Sequence, residues 1–209
     1  MMRRIAICAV SIAAALAFAV PAQAALKAGD TAPVFKTQAS LAGKAFDFSL
    51  RDALRKGPVV VYFYPSAYTQ GCNIQAREFA QNMDKFVAAG ASIVGVSMDS
   101  IERLNDFSAD PDYCGGKVAV SSDAGGAIAR SFDLKVSEGR EGMKDSRGVE
   151  ISHGFIERTT FVVTPEGKIA ATITGVPAAD NVKQALAAVE QLKGAAAGAA
   201  KPAAAPARM

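Results

Sequence analysis

The sequence has little net charge, a single histidine and no internal repeat, and each shortage excludes a class of function. Its 23 Lys and Arg residues nearly balance 20 Asp and Glu residues and form no basic run, which argues against nucleic-acid binding. The one histidine, His153, lies in a long polar connection. We interpret it as a surface residue, because a metal site needs further ligands. Without a repeat, the 209 residues fit one domain of ordinary size with short extensions.

The first residues carry the pattern of a cleaved export signal. A pair of arginines precedes an apolar run of 16 residues, 5–20, which is short for a bilayer span. Ala22-Gln23-Ala24 follows as a cleavage site, so we predict a signal peptide over 1–24 and export to the periplasm. Cleavage would remove Cys8 and leave two cysteines, and an even number in an oxidising compartment favours a disulfide. An uncleaved membrane anchor stays as the alternative.

The remaining chain divides into one domain, residues 25–193, and an Ala-rich tail, 194–209, that we expect to be disordered. Buried β-branched runs alternate with amphipathic helical patterns, and a hairpin and a final helix follow. We therefore predict an α/β domain with a mixed central β-sheet flanked by helices. The predicted strands are 46–50, 59–64, 91–97, 117–120, 159–163 and 168–174; the predicted helices are 51–56, 72–89, 100–108, 126–132 and 178–192; and 134–157 is a long polar connection.

One segment predicts a reactive cysteine. Pro65-Ser66-Ala67-Tyr68-Thr69-Gln70-Gly71-Cys72 lies between a buried strand pattern that ends at Tyr64 and a helical pattern that begins at the cysteine. The first turn of a helix has unpaired N–H groups and the positive end of the helix dipole, and both stabilise a thiolate. Because the thiolate is the nucleophilic form, the pattern favours a reactive Cys72. A buried structural thiol stays as the alternative.

Three motifs in this order resemble the peroxiredoxin family. The segment Pro65-x-x-x-Thr69-x-x-Cys72 is similar to the active-site pattern of that family, and it follows a strand and opens a helix as it does there. Gly29-Asp30-x-Ala32-Pro33-x-Phe35 resembles the family's N-terminal motif, and 158–163 with 166–169 resembles its arginine strand and hairpin. Together the motifs extend the resemblance over residues 29–193, nearly the whole domain.

Within the family, the Gly71-Cys72 dipeptide and Gln75 most resemble the Q-type members, also called bacterioferritin comigratory proteins. Many of those members carry a second cysteine five residues after the first, where this chain has Arg77. A second subset places its resolving cysteine in the helix after the next strand. Cys114 lies just after that helix, so the chain resembles the second subset.

The resemblance implies a thioredoxin-like fold with a peroxiredoxin-type N-terminal extension, and a thiol-dependent peroxidase for hydrogen peroxide and organic hydroperoxides. Cys72 would be oxidised to a sulfenic acid and condense with Cys114 to a disulfide within one chain, which a thioredoxin-like dithiol reductant would reduce. We expect no cofactor, metal or nucleic acid, no membrane partner after signal cleavage, and a monomer or weak dimer. The implied catalytic residues are Cys72, Thr69, Pro65, Arg158 and Cys114, and the implied peroxide-binding residues are Thr69, Cys72, Arg158 and Gln75.

Each implied residue has a chemical role in peroxide cleavage. The departing oxygen gains charge, so hydrogen bonds donated by Arg158, the Thr69 hydroxyl and the Cys72 N–H would act most strongly in the transition state. Pro65 has no N–H and would form a rigid apolar wall that keeps water from the thiolate. Gln75, one helical turn after Cys72, would orient Arg158.

Two other functions stay open from the sequence. A copper-handling protein on the same scaffold would present a C-x-x-x-C pair and a histidine, and the lack of a close cysteine pair argues against it. A static bridge between Cys72 and Cys114, 42 positions apart, would stabilise the fold by about 4 kcal/mol. Individually, Thr69 could be only a helix cap, Arg158 a surface residue and Cys114 an idle thiol.

Overall fold

The computed structural model of the protein describes residues 24–199. The predicted signal peptide, apart from Ala24, and residues 200–209 of the predicted tail therefore lie outside the described residues. Within the described part, no helix combines the length and the apolar character that crossing a membrane would require.

Between residues 24 and 199 the chain forms nine strands and five helices in alternation typical of an α/β protein. The strands are β1 (Lys36–Leu41), β2 (Lys44–Ser49), β3 (Val59–Phe63), β4 (Ser92–Ser97), β5 (Ala119–Ser122), β6 (Val136–Ser137), β7 (Phe155–Ile156), β8 (Thr159–Val163) and β9 (Ile169–Thr174). The helices are α1 (Leu50–Leu54), α2 (Gln70–Ala88), α3 (Ile101–Ala109), α4 (Ala127–Ser131) and α5 (Ala178–Ala199).

Seven of these strands form one mixed sheet in the order β2-β1-β5-β4-β3-β8-β9. Its centre is parallel, because β3 pairs with β4 and β4 with β5 in that sense, while β8, β9, β1 and β2 join as antiparallel neighbours. Apolar side chains of α2, α3 and α5 cover one face, and those of α1 and α4 cover the other. β3 and β8 are buried along their whole length as a result. The predicted mixed α/β sheet with flanking helices is confirmed.

The margins of the domain differ from the prediction. The sequence predicts no strand over β1, because residues 28–40 contain turn residues and show little hydrophobic period. At the other end α5 continues to Ala199, so the expectation of disorder is wrong for residues 194–199. Alanine has the highest helix propensity, which lets the helix extend without an apolar face. Lys193 Nζ also donates a hydrogen bond to Ala88 O at 2.7 Å, which ties this part of α5 to α2.

The sheet brings three segments of the chain to one edge. Parallel strands β3 and β4 end at the same edge, so the residues that follow them, 64–69 and 98–100, lie side by side. Thr159 at the start of β8 pairs with Phe63 at the end of β3, so Arg158 reaches this edge from the opposite direction. Helix α2 begins at the same place, and the predicted site residues of three segments can meet there.

Candidate active site

Cys72 lies in the first turn of α2, directly against a guanidinium group. Arg158 Nη2 donates a hydrogen bond to Cys72 Sγ, with 3.2 Å between the two atoms, and Cys72 is only 2% exposed. A guanidinium and the unpaired N–H groups of a first helical turn are the surroundings that the sequence predicts for a reactive Cys72. The structure therefore brings together the cysteine and the arginine that the sequence predicts as reaction partners.

Two more predicted residues belong to the active-site loop, residues 65–69, which connects β3 to α2. Pro65 is half-buried, and Thr69 is the N-cap residue of α2. The Thr69 side chain makes no capping hydrogen bond to the helix, and its hydroxyl donates instead to Ser66 O at 2.8 Å. A hydroxyl has one hydrogen, and here that hydrogen is already donated to Ser66 O, so the hydroxyl can accept a hydrogen bond from a peroxide but not donate one. This differs from the donor role that the sequence predicts for Thr69.

Gln75 holds Arg158 through the second amino group of the guanidinium. Arg158 Nη1 donates to Gln75 Oε1, and Gln75 Nε2 donates to Asn181 Oδ1 at 3.0 Å. Thr160 Oγ1 donates to the same oxygen at 2.6 Å, and Asn181 Nδ2 donates to Ile173 O at 3.2 Å. Each polar side-chain atom of the buried Gln75 and Asn181 thus has a partner. Sequence reasoning missed Asn181, whose only signal is its polar side chain in the first turn of α5.

Gly71 makes room for the guanidinium of Arg158. A Cβ atom at this position would lie 3.0 Å from Arg158 Nη2 and 3.8 Å from the central guanidinium carbon. The hydrogen bond to Gln75 limits how far Arg158 can retreat, so a side chain here would displace Arg158 from Cys72 Sγ. The absence of a side chain at Gly71 therefore leaves the space in which the guanidinium of Arg158 lies against Cys72.

Cys114 lies in the turn that follows α3 and is fully buried. It belongs to the same apolar cluster as Cys72, and both cysteines are free thiols. Burial, assisted by the negative charge of Asp110, raises the pKa of the Cys114 thiol well above its ordinary value. Cys114 is therefore un-ionised in this state, in contrast to what an attacking thiol requires.

A buried carboxylate supports the active-site loop from beneath. Asp99, which follows β4, accepts hydrogen bonds from Ala67 N at 2.8 Å, from Ser66 Oγ at 3.0 Å and from Ser97 Oγ at 2.7 Å. His153 Nε2 lies 2.8 Å from Asp99 Oδ1, and the His153 side chain is only 16% exposed. The prediction that His153 is a surface residue is wrong, because local hydropathy carries no information about a partner so far away in the chain.

The two members of this pair shift each other's pKa. Burial alone would raise the pKa of Asp99, but the hydrogen bond and charge of His153, together with the Ala67 N–H, hold it below its ordinary value of 3.8. Burial alone would lower the pKa of His153, but the hydrogen bond and charge of Asp99 raise it above 6.5. At mildly acidic pH both groups are therefore charged.

The chain matches a known protein family over most of its length. The model of the AhpC/TSA family matches residues 28–172. The peroxiredoxin Bcp of Xanthomonas campestris is 33% identical to this chain over 132 residues, which cover 63% of this chain and 76% of that protein.

Solved structures share the architecture as well. The bacterioferritin comigratory protein of Xanthomonas campestris, in structures described for its alkyl peroxide reduction activity, is 31% identical with a TM-score of 0.59, covering 75% of this chain and 91% of that chain. The peroxidoxin BcpB of Mycobacterium tuberculosis is 28% identical with a TM-score of 0.66, covering 80% and 98%. These similarities confirm the thioredoxin-like peroxiredoxin fold that the motifs predict.

The pair of His153 and Asp99 predicts a stability that depends on pH. Because folding raises the pKa of His153, its contribution is complete below 6.5 and is lost as the pH rises through the folded-state value. His153→Gln keeps a hydrogen-bond donor and removes the charge. Urea unfolding between about pH 5.5 and 9 should therefore show a wild-type advantage over His153→Gln that shrinks as the pH rises.

In the wild type Asp99 adds no slope in this range, because its pKa in the folded protein lies below 3.8 and it stays ionised throughout. Lys183→Gln is the control, since it removes a charge from an exposed ion pair with Asp180, and its stability difference should stay constant. A difference between wild type and His153→Gln that does not vary with pH would contradict a charged His153 in the folded protein.

Proposed function

The chain belongs to the AhpC/TSA family, and we propose that Cys72 is the thiol with which this Q-type peroxiredoxin reduces peroxides. The protein is a thiol-dependent peroxidase, as its relatives are. The observation that carries the assignment of Cys72 is the hydrogen bond from Arg158 to its sulfur at the start of α2. Neither copper handling nor a static disulfide requires a guanidinium at the sulfur, so those two alternatives are not favoured.

Peroxide cleavage at this site is a displacement at oxygen. The Cys72 thiolate attacks one oxygen of hydrogen peroxide or an organic hydroperoxide, the O–O bond breaks, and the sulfur becomes a sulfenic acid. The second oxygen leaves as hydroxide or alkoxide and takes a proton from solvent. Arg158 and the N–H groups of the first turn of α2 stabilise the charge on that oxygen as it develops. The Thr69 hydroxyl accepts a hydrogen bond from the bound peroxide, and Pro65 screens the thiolate from water.

Cys114 is the resolving residue in this proposal. The sulfenic acid condenses with the Cys114 thiol, water leaves, and a disulfide forms that an external thioredoxin-like dithiol reduces by exchange. Both sulfurs are buried in the reduced protein, and a disulfide needs them about 2 Å apart. The two thiols are not bonded in the reduced protein, and we expect the first turn of α2 and the turn around Cys114 to unfold locally in each cycle to join them. The reaction stays within one chain, which is a monomer or a weak dimer.

Export to the periplasm completes the proposal. Cleavage after Ala24 is compatible with the contacts of Leu26: Leu26 N donates to Phe132 O at 3.3 Å, and Thr172 Oγ1 donates to Leu26 O at 2.7 Å. A chain that begins at Ala25 keeps both hydrogen bonds. It also keeps Cys72 and Cys114, and an oxidising compartment suits a disulfide that forms and is reduced again.

Substitutions at the sulfur and at its partner test the site. Cys72→Ser should abolish peroxide turnover, because a hydroxyl cannot replace the thiolate. Arg158→Lys should slow oxidation of Cys72 about 100-fold, since a point charge cannot hydrogen-bond Cys72 and Gln75 at once as the planar guanidinium does. Stopped-flow measurement of the reduced protein with hydrogen peroxide gives both results.

Arg130→Lys is the matched control, because that exposed guanidinium donates only to Gly125 O on the other face of the sheet. It should react at the wild-type rate. Turnover by Cys72→Ser, or a near-wild-type rate in Arg158→Lys, would remove that residue from the proposed site.

The proposed role of Cys114 predicts that its replacement affects turnover but not the first reaction of Cys72 with peroxide. In Cys114→Ser the first peroxide reaction should keep its rate, because Cys114 is a free thiol in the reduced state and takes no part in the first step, while turnover with a dithiol reductant is lost. A sulfenic acid should then accumulate at Cys72, which dimedone trapping detects. Oxidised wild type should run as a monomer in non-reducing gels. A disulfide-linked dimer, or full turnover by Cys114→Ser, would speak for an intermolecular or one-cysteine mechanism.

Cleavage of the predicted signal can be measured directly. The protein recovered from the periplasm should have the intact mass of residues 25–209, because Ala22-Gln23-Ala24 is the predicted recognition site. Ala24→Asp should block processing by placing a charge at the cleavage site. A recovered protein that retains 1–24 would contradict the proposal.

A further inference from the structure

The active-site loop contains a strained residue that the peroxide chemistry does not explain. Tyr68 has φ 61°, in the left-handed region that side chains with a Cβ rarely adopt, and it is buried. Such a conformation persists only where surrounding contacts determine it. Because Thr69 follows directly and caps the start of α2, the backbone of Tyr68 sets the position of the Thr69 hydroxyl relative to Cys72.

A short hairpin, residues 143–151, holds Tyr68 from outside, and we call it the strap. Backbone hydrogen bonds between its two arms close it. Ser146 N and Ser146 Oγ both donate to Tyr68 O, at 2.9 and 2.7 Å. The guanidinium carbon of Arg147 lies 3.2 Å from the centre of the Tyr68 ring. The strap is part of the long polar connection, residues 134–157, and these contacts show that the connection holds the active-site loop in place.

Arg103 of α3 links the strap to the loop and to the sheet. Its Nη2 donates to Ala67 O at 2.9 Å and to Asp145 Oδ2 of the strap at 2.8 Å. Its Nε forms an ion pair with Asp99 Oδ1 at 2.8 Å, and Asp99 also accepts from Ala67 N. Both backbone polar groups of Ala67 are therefore held by one connected set of charges, and only 14% of the Arg103 side chain is exposed.

We propose that Arg103 is a positioning residue for peroxide reduction, which fixes the active-site loop by joining it to Asp99 and to the strap. The proposal rests on the proposed function of Cys72. Arg103 has no contact with Cys72 among its hydrogen bonds and ion pairs, so it acts on the reaction through the placement of Thr69 and the first turn of α2.

The geometry favours an arginine at this position. Its Nη2 donates in fixed directions to both Ala67 O and Asp145 Oδ2, while its Nε end pairs with the Asp99 carboxylate by charge, because Arg103 Nε makes no directed hydrogen bond. A lysine offers one point charge at the end of a flexible chain and can serve only part of this set. Arg103→Lys should therefore keep the charge, keep the fold and lose part of the positioning.

Two reactions of the same sulfur separate positioning from folding. Peroxide cleavage needs the substrate held in line with the sulfur by the loop, whereas alkylation by iodoacetamide needs only an accessible thiolate. In Arg103→Ala the rate of Cys72 oxidation by hydrogen peroxide, measured by stopped flow, should fall about 10- to 100-fold. The rate of Cys72 alkylation, read from the mass of its peptide, should stay close to wild type. Arg103→Lys should show a smaller loss in the same reaction only.

A second variant and a control keep the test independent of one substitution. Asp145→Asn weakens the strap side of the set and should lower the peroxide rate in the same selective way. Arg77→Ala is the control. It removes a guanidinium of α2 that donates a hydrogen bond to Asp112 O at 2.6 Å and has no hydrogen bond to the active-site loop or the strap. It should leave the ratio of the two rates unchanged.

Three results would overturn the proposal. An unchanged ratio of the two rates in folded Arg103→Lys and Asp145→Asn would mean that the set of charges does not position the loop. A parallel fall of both rates with a lowered Tm would mean that Arg103 is only structural. Wild-type protein whose Cys72 is alkylated but inert to peroxide would contradict the proposed function itself, and this proposal with it.

Discussion

Arg158 brings a positive charge to a sulfur that water scarcely reaches, and several elements of the fold meet at that charge. A partly buried charge is unfavourable unless hydrogen-bond partners replace its water shell. Gln75 of α2 provides one partner, and Asn181 of α5 fixes Gln75 in turn. The antiparallel pairing of β8 with β3 then places Arg158 at the edge of the sheet where α2 begins. The surroundings of Cys72 Sγ therefore depend on β3 and α2 and also on β8 and α5, which lie far downstream in the sequence.

Site residues could be predicted where a local pattern or a family motif contains them, as for Cys72 and Arg158, whereas residues outside those motifs that act through distant partners could not. Cys72 follows from a local pattern, because strand, turn and helix start are consecutive in the sequence. Asp99, Arg103 and His153 have partners 33, 42 and 54 positions away, and no periodicity records such a pairing. The Ala-rich segment after Lys193 was ambiguous for another reason, since its composition is typical both of a disordered tail and of a helix, and helix propensity prevails up to Ala199.

Arg77 occupies the position at which many Q-type members have a second cysteine, and it contacts the turn that contains Cys114. Its Nε donates to Asp112 O at 2.6 Å, and its guanidinium lies 5.9 Å from the centre of the Tyr113 ring. These contacts link the helix of Cys72 to the turn of Cys114. Gly115 and Gly116, with φ 58° and 69°, complete that turn in a conformation that residues with a Cβ adopt only with strain. A movement that joins the two sulfurs must break the Arg77 contacts or carry them along.

Through Asn181, the contacts around Cys72 also depend on α5, which is synthesised long after α2. Synthesis proceeds from the N-terminus, so Cys72 leaves the ribosome well before α5 does. Until α5 docks, Gln75 lacks its partner and Arg158 has no fixed direction toward the sulfur. A chain in which α5 has not docked therefore lacks the contacts that direct the guanidinium of Arg158 toward Cys72 Sγ, and the last-made helix completes, through Asn181, a site that begins 109 positions earlier, at Cys72.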